Sequence, residues 1–103
     1  MNSPDSVPAQ ARVLLRCWQN EGEKRDCADD LLLFFYRLRD RAVIIENRST
    51  LIQGKSFRSL QALIYDLESR PDETMEDESQ SRVIQTILSD LVAGRIVVSM
   101  QER

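Results

Sequence analysis

The sequence predicts a mainly α fold, a compact bundle of four helices with a short extended C-terminal segment, and three observations carry that prediction. Apolar residues return at intervals of three and four in four separate stretches, the spacing that gathers side chains on one face of a helix. The chain of 103 residues holds only three Gly and three Pro, and these punctuators fall at the edges of the periodic stretches rather than inside them. With 42% apolar and 30% charged residues, the composition is that of an ordinary globular chain and not of a disordered or fibrous one. The expected organisation is a flexible N-terminal tail, 1–7, and one helical domain, 8–103, since the length leaves no room for a second core.

The first helix is expected over about 8–21. Pro8 suits an opening turn, where its missing N–H costs nothing. Ala11, Leu14, Leu15 and Trp18 then follow at i, i+3, i+4 and i+7 on one face, with Arg12, Arg16 and Gln19 turned away. Gly22 is expected to close it. After the charged turn Glu23-Lys24-Arg25-Asp26, Asp26 is placed to cap a second helix whose first turns hold Asp29 and Asp30, carboxylates that favour the positive end of the helix dipole.

That second helix, 27–47, contains Leu31-Leu32-Leu33-Phe34-Phe35-Tyr36, apolar all round. On a short helix this means burial on several sides, or contact with a second chain. Phe35, Leu38, Ala42 and Ile45 continue the helical spacing. The competing reading is an α+β fold with a small hairpin, in which Val43 to Glu46 and Ser49 to Gln53 form two strands and Asn47-Arg48 turns between them, because β-branched residues cluster there.

A third helix, 57–70, follows Gly54 and a potential Ser56 cap; Phe57, Leu60, Leu63, Ile64 and Leu67 form its stripe, and Pro71 ends it. The segment from Pro71 to Ser79 carries five carboxylates and no base, so it is read as a solvated connection or the opening of the next helix. The fourth helix, 76–93, is marked by Val83, Ile84, Ile87, Leu88, Leu91 and Val92 and stopped by Gly94. Ile96-Val97-Val98 has the character of a terminal strand.

Charge and residue inventory narrow the function classes. The net charge is −3, from 14 basic and 17 acidic residues, so there is no overall attraction to phosphate and a nucleic acid would need a local basic face. There is no His, and Cys17 and Cys27 are the only cysteines; no metal set and no activated nucleophile can be assembled from that material in the usual ways. No cofactor is expected. The two cysteines read as reduced thiols at the ends of adjacent helices, in keeping with a cytoplasmic setting, and the N-terminus lacks the basic start and apolar stretch of a signal peptide. No stretch is long enough to span a bilayer.

One motif resembles chemistry. Gly54-Lys55-Ser56 has the ending of a phosphate-binding loop, but the first glycine of that pattern is replaced by Ser49, and bulky Leu51 and Ile52 occupy a curl that needs small residues. It is read as a helix start. Paired carboxylates at Asp29-Asp30, Asp72-Glu73 and Glu76-Asp77-Glu78 all sit in polar, helix-opening stretches, so no catalytic pair is assigned.

What remains is surface. The expected function is that of a non-enzymatic protein–protein interaction module, such as an adaptor, an assembly chaperone or a regulatory subunit of a larger complex, self-associating through the helix that holds Leu31, Phe34 and Phe35. The alternative is a small nucleic-acid-binding regulator that uses Arg37, Arg39, Arg41, Arg48, Lys55 and Arg58, a run of bases opposed only by Asp40 and Glu46. Against that alternative, Arg37, Arg39 and Arg41 are two apart and fan out around a helix, and no aromatic residues interleave to stack bases. The acidic stretch 66–79 is electrostatically complementary to the basic run, either within the fold or across a contact with a partner.

Overall fold

The computed structural model describes residues 6–20, 25–48 and 56–101, with the side chains of 56–59 left out. Among them the chain forms α1 (Val7–Gln19), α2 (Ala28–Arg41), β1 (Ala42–Asn47), α3 (Ser56–Ser69), α4 (Pro71–Glu76), α5 (Glu78–Ala93) and β2 (Ile96–Met100). The fold is mainly helical, and among the described residues it has one two-stranded sheet. The Gly22 stop, the proposed second strand over 49–53 and the Gly54-Lys55 pair lie outside the described residues.

Local chemistry accounts for the helix ends. Ser6 caps α1, its hydroxyl accepting the Ala9 N–H at 3.3 Å, and Pro8 falls in the opening turn. The helix thus opens one residue earlier than expected, with Val7 buried inside the region assigned to the tail. It ends at Gln19 on an Asn20 cap. Asp26 does not cap α2: Cys27 holds the N-cap position without a side-chain hydrogen bond, and Asp26 stays in the preceding turn. At the far end of α5, Gly94 adopts φ 77°, the left-handed C-cap that glycine reaches at no steric cost, and its N–H donates to the Asp90 carbonyl.

Two segments differ from the sequence expectation. The second helix stops at Arg41, not near Asn47, and Ala42–Asn47 is a strand. Its partner is the C-terminal β2, antiparallel, with Ala42 opposite Met100, Ile44 opposite Val98 and Asn47 opposite Ile96. The ladder is extended by Arg48 N–H to the Arg95 carbonyl at 2.6 Å and Gln101 N–H to the Arg41 carbonyl at 2.8 Å. A bulge between Ile44 and Glu46 inserts Ile45, and that extra residue is exposed. The hydrogen bonds offered by a chain some fifty residues away outweigh the local helical spacing of Phe35, Leu38, Ala42 and Ile45. The acidic connection is also partly ordered: Pro71–Glu76 forms the short helix α4, which buries Thr74 and Met75.

One apolar cluster unites the elements. α1 packs mainly on α5 and α2 on α3, while the sheet ties the end of α2 to the end of α5. Trp18, Leu31, Phe35, Leu38, Leu60, Ile84, Leu88 and Leu91 are the largest fully buried side chains. Trp18 also secures α1 to α5 by its indole N–H, which donates to the Ser81 carbonyl at 3.2 Å and to the Ser81 hydroxyl at 3.1 Å. Buried Asp90 accepts from the Arg95 guanidinium across the turn between α5 and β2.

Candidate protein interaction surface

On α2 the residues Leu31, Phe34, Phe35 and Leu38 follow at i, i+3, i+4 and i+7, and all four are buried. The Phe34 and Phe35 rings lie 6.2 Å apart in tilted contact inside the cluster. Leu31, Phe34 and Phe35 therefore serve the protein's own core and are not the open contact face expected of them. From the same apolar run the side chain left in solvent is Leu33, 57% exposed.

Cys17, near the end of α1, hydrogen-bonds with Cys27 at the start of α2 and so ties the two helices together beside their connection. Burial, with the neighbouring Cys17, pushes the Cys27 thiol up to about 12, which keeps it neutral and unreactive. Between the two helices lies a groove of about 300 Å³ lined by Gln10, Val13 and Leu14 from α1 and by Asp30, Leu33, Phe34 and Arg37 from α2. Its floor is the outer side of core residues Leu14 and Phe34. Val13, 68% exposed, faces Leu33 across it. Val13 was not singled out from the sequence; the available signal was that it is apolar yet off the stripe of Ala11, Leu14, Leu15 and Trp18.

The arginines are dispersed. Arg39 pairs with Asp40 at 2.9 Å and stacks over the Tyr36 ring with its guanidinium carbon 4.9 Å from the centroid. Arg48 is engaged by Glu46 at 2.6 Å. Arg37 and Arg41 are exposed on α2, Arg37 at the groove rim. Lys55 and the Arg58 side chain lie outside the described residues. Among the described residues the bases that meet the acidic stretch are Arg25, 3.6 Å from Asp72 and 3.8 Å from Glu76, and Arg70, 3.3 Å from Asp66 and 3.9 Å from Glu73.

A second apolar surface lies on the sheet, where Val43 and Ile45 of β1 are exposed. A larger open hollow bounded by Arg25, Glu76, Glu78 and Arg82 carries both signs of charge and no convergent set of groups. Among the described residues no group of three or more metal-ligating side chains comes together, and no helix is long and apolar enough to cross a membrane. The chain matches no protein-family model, no curated protein and no solved structure.

Proposed function

We propose that the chain is a non-enzymatic protein–protein interaction module of the cytoplasm, an adaptor, assembly chaperone or regulatory subunit, and that its contact face is the α1–α2 groove. The observation that carries this reading is the pair Val13 and Leu33, two large apolar side chains held in solvent over an apolar floor and edged by Asp30 and Arg37. An apolar centre with a charged rim is the usual anatomy of a protein contact. Core demand does not explain the pair, because Leu14 and Phe34 already close the core beneath it.

The nucleic-acid alternative has less support: of the four described arginines in the run, Arg39 and Arg48 are already held by carboxylates of their own segment. The experiment is affinity capture of the tagged chain from its native lysate, with and without nuclease, beside a Leu33→Asp variant. The expected result is a discrete protein, indifferent to nuclease, that is lost from the variant. Recovery that collapses on nuclease treatment would overturn the reading in favour of nucleic acid.

A further inference from the structure

We infer that the groove is filled by the α2 helix of a second copy of this chain, packed antiparallel about a two-fold axis that passes between Leu33 and Phe34. This rests on the interaction reading above and names its partner. The argument is the order of charges along one helix face. Asp30, Leu33 and Arg37 follow at i, i+3 and i+7 and line the same groove, so an acid and a base stand about 10 Å apart along the axis with an apolar residue between them. Among the described residues, the side chains of Asp30 and Arg37 enter none of the ion pairs of the fold, and Asp30 acts on the neighbouring Cys27 only through its charge.

A two-fold axis midway between Asp30 and Arg37 exchanges the two residues. Asp30 then meets the partner subunit's Arg37, Arg37 meets the partner subunit's Asp30, and Leu33 drops onto the apolar floor between the partner's helices. The next charges outward keep the same relation: Asp26, in the turn before α2, and Arg41, its last residue, are both exposed and equally distant from the midpoint. The acidic opening and basic close of α2 make the face self-complementary in this direction alone. A parallel arrangement would set Asp30 against Asp30 and Arg37 against Arg37. Exposed ion pairs contribute little affinity each, so the charges select orientation while Leu33 and Val13 supply the burial. The resulting dimer is weak and concentration-dependent.

Sedimentation equilibrium of the wild-type chain across the micromolar to millimolar range, beside Asp30→Arg, Arg37→Asp and the double exchange, tests this. All these positions are exposed on α2, and helical circular dichroism confirms the fold of each variant. The expected result is a wild-type species of twice the 11.9 kDa chain mass at high concentration. Each single exchange raises its dissociation constant by about tenfold or more, because the two-fold axis counts every change twice. The double exchange restores it, and an equimolar mixture of the two single variants associates as the wild type does. A wild-type chain that stays a monomer overturns the inference, as does a dimer indifferent to both single exchanges. The capture experiment, by contrast, bears on whether the face binds protein at all, so the two failures are distinguishable.

Discussion

Trp18 offers the sharpest test of how the bundle is held. It is 1% exposed and is the chain's one tryptophan. Its indole N–H is shared between the carbonyl and the hydroxyl of Ser81, linking α1 to the start of α5. Trp18→Ala empties the largest side chain in the core and is expected to cost about 3–5 kcal/mol, a large part of the ~5–15 kcal/mol that holds a domain together. Trp18→Phe keeps most of the apolar contact but loses the donor, for about 1–2 kcal/mol from the hydrogen bond and the smaller ring together. Ser81→Ala removes only the hydroxyl; the carbonyl still accepts the indole N–H, so the loss stays near the lower end of ~0.5–1.5 kcal/mol. Urea unfolding followed by helical circular dichroism gives all three values, and in Ser81→Ala the tryptophan fluorescence reports the same transition. A Trp18→Phe variant as stable as the wild type, or Ser81→Ala as damaging as Trp18→Ala, would refute the reasoning.

Three further outcomes follow from the same structure. Gly94→Ala meets no atom within 4 Å of the added methyl group, so its cost is that of the left-handed backbone alone, about 1–2 kcal/mol by urea midpoint. Arg95→Met strips buried Asp90 of its guanidinium and is expected to cost about 1–3 kcal/mol, with β2 amides exchanging faster with deuterium. Because the folded Cys27 thiol is raised from 9.0 to about 12, the unfolded chain releases this proton first. Stability is therefore full below about pH 9 and falls between 9 and 12, by no more than about 1.4 kcal/mol per pH unit. A Cys27→Ala variant should lose that alkaline component; equal alkaline slopes in the two proteins would show that the thiol is not held neutral.

The helical frame was legible because α1, α3 and α5 each repeat apolar residues along one stripe, and Pro8, Pro71 and Gly94 stand where those stripes begin or stop. The 42–47 segment was not, since its β-branched residues fit a helix through Phe35, Leu38, Ala42 and Ile45 and a strand through alternation, and only the distant pairing with Ile96–Met100 decides between them. That pairing joins segments some fifty residues apart: local turns are readable in sequence, contacts at that separation are not. The helix α4 was hidden by its carboxylates, although Pro71 followed by Asp72 and Glu73 is a helix-opening signature and Met75 its anchor. The face proposed for partner contact is less legible: the all-round apolar run of α2 leaves the exposed residue unmarked, and only the i, i+3, i+4, i+7 spacing of Leu31, Phe34, Phe35 and Leu38 assigns those residues to the core and leaves Leu33 turned outward. Its neighbour across the groove, Val13, depends on how α1 lies against α2, which no local pattern encodes.

The interaction reading is tested most directly by a photo-crosslinking residue substituted for Leu33, with the same residue at exposed Gln85 of α5 as the control, irradiated in the native lysate and in the purified protein. The expected result is a discrete protein adduct from position 33, either a second copy or a partner, and none of comparable yield from position 85. Adducts from position 85 with none from position 33 would contradict the assignment of the α1–α2 groove as the face this protein uses.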